Sequence, residues 1–374
     1  MMKALVTALG LTLLLCAPVA AAPTAAELQT MLDTAREEAG VPGMALAVWT
    51  DGGVAAEVVS GERAAKTGIA VEKGDPWHLG SNTKAMTAVL AARLMEQGRL
   101  ERGLTIGEAL GGIAPDMSPA YGDITFAELF THRSGLPANG GMGLLLGQKG
   151  TDESRDARAD RIEYAQTVLA KEPSEQGAFL YSNAGYIVAA AMIEKTLDAD
   201  YDTLMQEEIF GPLGLDSAGF GPPGSMDEID TPRGHKKRFV FFGGPSPAAP
   251  DSTADNPPAA SPAGRAHMNL ADYLTFVGDQ MACGRGAESR LISAESCDWL
   301  QTPNGDYAMG WGVSNDGRLS HAGSNTMWFV RVYAWPEKDF AVVAAANDGR
   351  IDEISPVVAD LLDGAAESYG VTAD

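Results

Sequence analysis

The chain has 374 residues, 45% hydrophobic and 21% charged, with 43 glycines and 21 prolines. This composition excludes a disordered, fibrous or small disulfide-scaffold protein and allows one large domain or two interleaved ones. With 27 basic against 50 acidic residues the formal net charge is −23, which opposes nucleic-acid phosphates and anionic membrane surfaces as partners.

Residues 1–21 read as a secretory signal peptide: Lys3, an apolar stretch from about Ala4 to Cys16, then Val19-Ala20-Ala21 as the cleavage pattern. The stretch is shorter than the about 20 residues a spanning helix needs, and Leu15 is too bulky for lipoprotein processing at Cys16. Export to the periplasm or medium, without a stable membrane anchor, is therefore expected. Cys283 and Cys297 then meet an oxidising compartment as the remaining cysteines, either bridged or as two buried thiols, because spacing alone does not decide.

Along residues 22–374, periodicity predicts a helix over Thr24–Glu38, stopped by Gly40 and Pro42, then a hairpin of Met44–Thr50 and Val54–Ser60 turning at Asp51-Gly52-Gly53. Helices follow at Lys84–Gln97, Ile124–Thr131, Arg161–Lys171, Tyr186–Leu197, Thr203–Ile209 and Leu270–Met281. Three strands, Arg318–Gly323, Phe329–Trp335 and Phe340–Ala346, precede a closing helix over about Ile354–Glu367. Gly140–Arg158 and Gly243–Gly264, rich in Gly, Pro, Ala, Ser and Asp, read as long surface loops, bordering a cleft or simply tolerated. The order implies an α+β fold, an α/β sandwich: an antiparallel sheet flanked by N- and C-terminal helices (about 24–80 and 305–374) with an inserted helical lobe (about 81–304).

Three short motifs carry chemistry. In Gly80-Ser81-Asn82-Thr83-Lys84 the serine opens a helix, and Lys84, three residues on, lies on the same face and can accept the hydroxyl proton if burial depresses its pKa. A helix N-terminus also favours developing negative charge. Alone, S-x-x-K is a weak pattern. Tyr181-Ser182-Asn183 offers a phenol to shuttle protons beside the lysine and an amide to hold the substrate; read alone, Tyr181 is a core aromatic. His321-Ala322-Gly323, followed by Ser324, lies on a predicted strand: the glycine lets substrate approach the backbone, the Ser81 and Ser324 amides form an oxyanion hole, and His321 stands where a proton relay or substrate clamp is needed.

In this order the motifs resemble those of the penicillin-recognising serine hydrolases: class C β-lactamases, serine DD-peptidases, and lactamase-fold esterases and D-amino-acid peptidases. Ile124–Pro137, Ile209–Phe220, Ser261–Phe276 and Tyr307–Val313 look like further landmarks of that family. The resemblance implies a Ser81 nucleophile activated by Lys84 and Tyr181, an acyl-enzyme held in the Ser81/Ser324 oxyanion hole, and hydrolysis without metal or cofactor. It also marks departures. Class C β-lactamases and most penicillin-binding proteins carry Lys-Thr-Gly or Lys-Ser-Gly where this chain has His321-Ala322-Gly323; a histidine there resembles the branch of certain DD-peptidases, esterases and D-amino-acid peptidases. Ala322 lacks the hydroxyl, for which Ser324 would have to compensate, so the expectation tilts towards esters or amides without a free carboxylate there. Lys66-Thr67-Gly68 precedes Ser81 and is a decoy; Met327-Trp328 and Gly264-Arg265 replace a common Gly-Phe and Gly-Gly and narrow the cleft.

His78, His132, His235 and His267 are scattered, with no pair at metal-ligand spacing, although His132 and His267 fall inside landmarks that approach the cleft. The chain has no G-x-S-x-G, H-E-x-x-H or phosphate-cradling loop. The expected function is a secreted or periplasmic serine hydrolase of a small ester, amide or peptide. A β-lactamase or D-Ala-D-Ala carboxypeptidase is the alternative within the family, and a non-catalytic binding or sensor module the alternative outside it. Oligomeric state leaves no trace in the sequence.

Overall fold

The computed structural model describes residues 22–140, 156–236, 246–287 and 289–372. The expected signal peptide, residues 1–21, and most of the Gly140–Arg158 loop lie outside them. The chain opens with α1 (Ala25–Ala39), capped reciprocally by Thr24 and Glu27 and closed by Gly40 in the left-handed region. Strands β1 (Gly43–Thr50) and β2 (Gly53–Gly61) follow, with Asp51 and Gly52 at positive φ in the turn between them. The main helices of the middle are α2 (Thr83–Glu96), α3 (Ala157–Leu169), α4 (Asn183–Leu197), α5 (Leu270–Gly284) and α6 (Ala294–Gln301). Strands β3 (Gly312–Val313), β4 (Leu319–Ser324), β5 (Phe329–Trp335) and β6 (Phe340–Ala346) then lead into α7 (Ile351–Ser368).

The six strands form one antiparallel sheet in the order β2-β1-β6-β5-β4-β3. Its central strands read as unbroken apolar runs because both faces are buried, and the two-residue period divides each run between two cores. Met44, Leu46 and Val48 of β1, with Val342 and Ala344 of β6, meet Leu32, Val358 and Leu362 of α1 and α7. Ala45, Ala47, Val343 and Ala345 face the other way, into the larger core that the middle helices share. In that core α2 is buried almost all round, as is α4, whose Glu194 is held by Arg161 at 2.6 and 2.9 Å.

Several elements differ from the sequence expectation for physical reasons. The expected helix Ile124–Thr131 shrinks to Phe126–Phe130 because Thr125 and Glu128 form a capping box. Ser182 caps α4, which begins three residues earlier than its apolar stripe. The expected helix at Thr203–Ile209 starts at Tyr201 and widens into a π turn at Gln206–Phe210. The closing helix starts at Ile351 and carries Pro356 near its beginning. A small sheet of Trp77–His78, Ala266–Met268 and Gly219–Phe220 went unread because its strands hold two or three residues each. The described part of the Gly243–Gly264 stretch stays at the surface as far as Thr253, as expected, and then turns inward: Ala254, Asp255, Ala259 and Ser261 are buried. Its prolines open short helical turns at Pro258–Ala260 and Ser261–Gly264, which bury small side chains without any period to read.

A disulfide joins Cys283 at the end of α5 to buried Cys297 of α6, with Cα atoms 5.6 Å apart. Of the two states left open by spacing, the bridge is the one present. Replacing both cysteines by serine removes the closure of a 14-residue separation and lowers stability by about 3 kcal/mol, read from urea unfolding. A variant as stable as the oxidised wild type would contradict this.

Candidate active site

Ser81 sits in a single tight turn, Gly80–Asn82, that leads straight into α2. The turn is fastened on every side: Leu79 N–H donates to Ala266 O at 2.9 Å, Thr83 Oγ1 to Gly80 O at 2.7 Å, and the Asn82 amide to Leu79 O and Val330 O at 2.8 and 3.2 Å. Gly80 adopts φ +53°, and a Cβ there would stand 2.3 Å from Ser324 N; one on Gly323 would stand 2.0 Å from Leu79 O and 2.7 Å from Ser81 N. Backbone thus lies directly on backbone. The room left by Gly323 is filled by the Ser81 turn itself, and the contact brings the backbones of Ser81 and Ser324 to one small cavity of about 70 Å³, which Asn139, Asn183, Ala263 and Gly264 also line.

Lys84 is fully buried, and its Nζ lies 3.1 Å from Ser81 Oγ, 2.7 Å from Asn183 Oδ1 and 2.6 Å from Ala263 O. Burial alone holds its pKa well below the ordinary 10.5. A neutral amine has two N–H donors and one lone pair. Asn183 Oδ1 and Ala263 O only accept, so they take the two donors and leave the lone pair for the Ser81 hydroxyl. Asn183 is itself oriented by its Nδ2 donating to Asn139 Oδ1 at 2.8 Å.

Burial pushes the Tyr181 pKa up to about 12 against the opposing pull of the neighbouring Ser81 hydroxyl, so it stays a phenol. Lys84 Nζ lies 4.9 Å from the Tyr181 ring centroid. Around it stand His132, Tyr186, Tyr307 and His321. His321 is buried and turned towards Tyr307, with Nε2 3.1 Å from the Tyr307 hydroxyl; burial and the nearby Lys84 push its pKa down to about 3. It therefore presents no cation at neutral pH. A second cavity of about 360 Å³ opens beside it, lined by Tyr181, Tyr307, His321, Ala322, Arg318 and Arg331 among others.

Ser324 does not supply the hydroxyl that Ala322 lacks: its Oγ donates to Trp328 O at 2.6 Å and accepts from Thr326 N–H at 2.9 Å. Sequence reasoning missed Asn139 and the Ala263 carbonyl; His132, expected from its landmark to approach the cleft, does so against the Tyr181 ring. Sequence reasoning also missed buried Asp255, which holds His78 at 2.8 Å, Arg265 at 3.1 Å and Asn325 at 3.1 Å behind the Ser81 turn. Burial opposes its ionisation, yet His78 and Arg265 keep its carboxyl below the usual range. His78 Nδ1 in turn accepts from Gly80 N–H at 3.2 Å. His235 and His267 bond backbone groups away from Ser81, and Lys66-Thr67-Gly68 forms a turn of its own near His235. Among the described residues no cluster of His, Cys, Asp or Glu could hold a metal ion, and no helix is long and apolar enough to cross a membrane.

The sequence profile of the Beta-lactamase family matches residues 28–364. The chain belongs to the beta-lactamase family. It is 26% identical over 272 residues to penicillin-binding protein 4 of Amycolatopsis lactamdurans, covering 72% of this chain and 68% of that one. It is also 28% identical over 188 residues to the unguisins hydrolase ungD of Aspergillus violaceofuscus, covering 47% and 31%. Among solved structures, an octameric penicillin-binding protein homologue from Pyrococcus abyssi superposes with a TM-score of 0.73 at 21% identity, over 93% of this chain and 78% of that one. A class C beta lactamase from Rhodobacter sphaeroides gives 0.68 at 19% identity, over 90% and 97%. This member of the beta-lactamase family is a serine hydrolase with the family's α+β fold.

Two consequences of the geometry are measurable. Gly323→Ala forces Leu79 and Ser81 away from β4, and labelling of Ser81 by a fluorophosphonate falls by about a hundredfold; a wild-type rate would show that the close contact is dispensable. His132, His267 and His321 have pKa values pushed down to about 2, 4 and 3, in each case chiefly by burial, whereas in the unfolded chain they titrate near 6.5. The unfolded state then binds more protons below 6.5, so the stability present above that pH is lost as pH falls towards the folded values. The unfolding midpoint should fall steadily from about pH 7 to about pH 4.5, and a flat midpoint would contradict neutral burial of these rings.

Proposed function

We propose that this chain is an exported serine hydrolase that cleaves a small ester or amide through an acyl-enzyme on Ser81. The observation that carries the reading is the buried Lys84 amine 3.1 Å from the Ser81 hydroxyl, its pKa held well below the ordinary value by burial. As Ser81 Oγ attacks the substrate carbonyl carbon, its proton passes to Lys84 Nζ, and the carbonyl electron pair moves to an oxygen held by the Ser81 and Ser324 amides. Collapse of the tetrahedral intermediate expels the leaving group, protonated from Lys84 through the Tyr181 hydroxyl. Water then attacks the acyl-enzyme by the reverse proton path.

The substrate class follows from what β4 presents. His321 is neutral, Ala322 has no hydroxyl and the Ser324 hydroxyl is committed to Trp328, which supports a substrate without a free carboxylate at that place. Likeness to the Amycolatopsis penicillin-binding protein over 72% of this chain supports the second reading, a β-lactamase or D-Ala-D-Ala carboxypeptidase using the same residues. The disulfide supports export, with residues 1–21 as the signal.

The test pairs an ester panel with intact-mass analysis after benzylpenicillin. Wild type turns over p-nitrophenyl esters and carries no penicilloyl adduct, whereas Ser81→Ala and Lys84→Ala each lose activity by about 10,000-fold with nearly unchanged unfolding. A Ser81→Ala variant as active as wild type would sink the assignment. An adduct on Ser81 would favour the second reading.

A further inference from the structure

His132 occupies a place that backbone chemistry reserves for glycine. The helix Phe126–Phe130 ends at Thr131, and the next residue, His132, adopts φ +60°, the left-handed conformation that terminates helices and costs a β-carbon-bearing residue about 1 kcal/mol or more. Backbone strain of this kind persists where the side chain earns it. Here the conformation aims two groups of one residue at the two neighbours of Tyr181: the His132 carbonyl accepts from Leu180 N–H at 2.9 Å, and its Nδ1 accepts from Ser182 N–H at 3.0 Å. Between these bonds the imidazole lies against the Tyr181 ring with centroids 4.3 Å apart.

We infer that His132 is the positioning residue of Tyr181, gripping the amides on both sides of it so that the phenol meets Ser81 and Lys84 in one place. The inference rests on the acyl-enzyme reading above, in which Tyr181 relays the proton. Because Nδ1 accepts, the proton of the neutral ring lies on Nε2, which is buried and has no partner among the described residues. The ring thus adds no charge beside the amine. The titratable groups that face it or share the pocket are Lys84, Tyr181, Tyr186, Tyr307 and His321.

Two substitutions separate this role from a merely structural one. His132→Gly relieves the left-handed conformation and removes both side-chain contacts. His132→Asn tolerates the conformation and sets an amide oxygen where Nδ1 stands. The readouts are the fluorophosphonate labelling rate of Ser81, its pH profile, and kcat and KM on an ester that the wild type turns over. For His132→Gly the labelling rate and kcat fall by about thirtyfold, KM stays within about threefold, and the pH profile shifts; the lost ring also lowers the unfolding midpoint, so the comparison with His132→Asn carries the test. His132→Asn recovers at least about tenfold of that loss.

A glycine variant with wild-type labelling rate and pH profile overturns the inference, as does an asparagine variant no better than glycine. Should the glycine variant not fold, His132→Asn decides alone: labelling within about threefold of wild type supports the grip, and a loss of about thirtyfold overturns it. Full activity of Ser81→Ala would instead defeat the acyl-enzyme reading and leaves the His132 variants to be judged by their own labelling and pH data.

Discussion

The structure turns on one costly placement: a lysine amine sealed in the interior with amide and carbonyl oxygens for partners and burial as the sole cause of its lowered pKa. Burying an ammonium without a counter-charge is expensive, and that expense drives the amine towards its neutral form, its pKa well below the ordinary value. Neutrality is what makes the group a base. Its two donors are absorbed by Asn183 and Ala263, so the lone pair has one partner left, the Ser81 hydroxyl at 3.1 Å. Every other feature of the site serves that arrangement or borrows from it.

Four separate stretches of chain have to converge for it to exist. The sheet supplies a rigid strand, β4, paired along its whole length with the buried strand β5, against which the Ser81 turn can lie backbone to backbone because Gly80 and Gly323 have no side chains. The segment from Asp255 to Gly264 closes the far side, giving the Ala263 carbonyl directly and steadying the turn through Asp255, His78 and the Gly80 amide. The helix α4 brings Asn183, and the extended residues before it bring Tyr181, held along the 132–138 segment by a run of backbone bonds that ends at Asn183 N–H to Ala138 O, 2.9 Å. A rigid scaffold carrying irregular but well-bonded connections is how precise sites are generally built.

How much of this the sequence disclosed follows the same logic. The strands Met44–Thr50, Phe329–Trp335 and Phe340–Ala346 were legible because burial on two faces leaves long apolar runs, and α2 because its stripe starts at a serine turn. Ser81, Lys84, Tyr181 and Asn183 were legible as residue types in a fixed order, and the structure brings their polar atoms together. Ala263 was illegible in principle, since it acts through a carbonyl that any residue has. The buried wall around it was illegible because proline-opened turns packing alanine have no period. Gly323 was read as room for substrate, yet that room belongs to the Ser81 turn, a contact between segments more than two hundred residues apart that spacing cannot express. Ser324 was read as a spare hydroxyl, and only its neighbours' carbonyl and amide show it to be occupied.

The claim at the centre is that Lys84 is an uncharged base in the free enzyme. Its most direct test is the rate of covalent fluorophosphonate labelling at Ser81 across the pH range, with no substrate present. Labelling should rise with pH through one ionisation and level off well short of the ordinary lysine value of 10.5, because the amine loses its proton far below it. A rate that keeps climbing until pH approaches 10.5 would mean that Lys84 is a charged lysine like any on the surface, and the account of the site would be wrong.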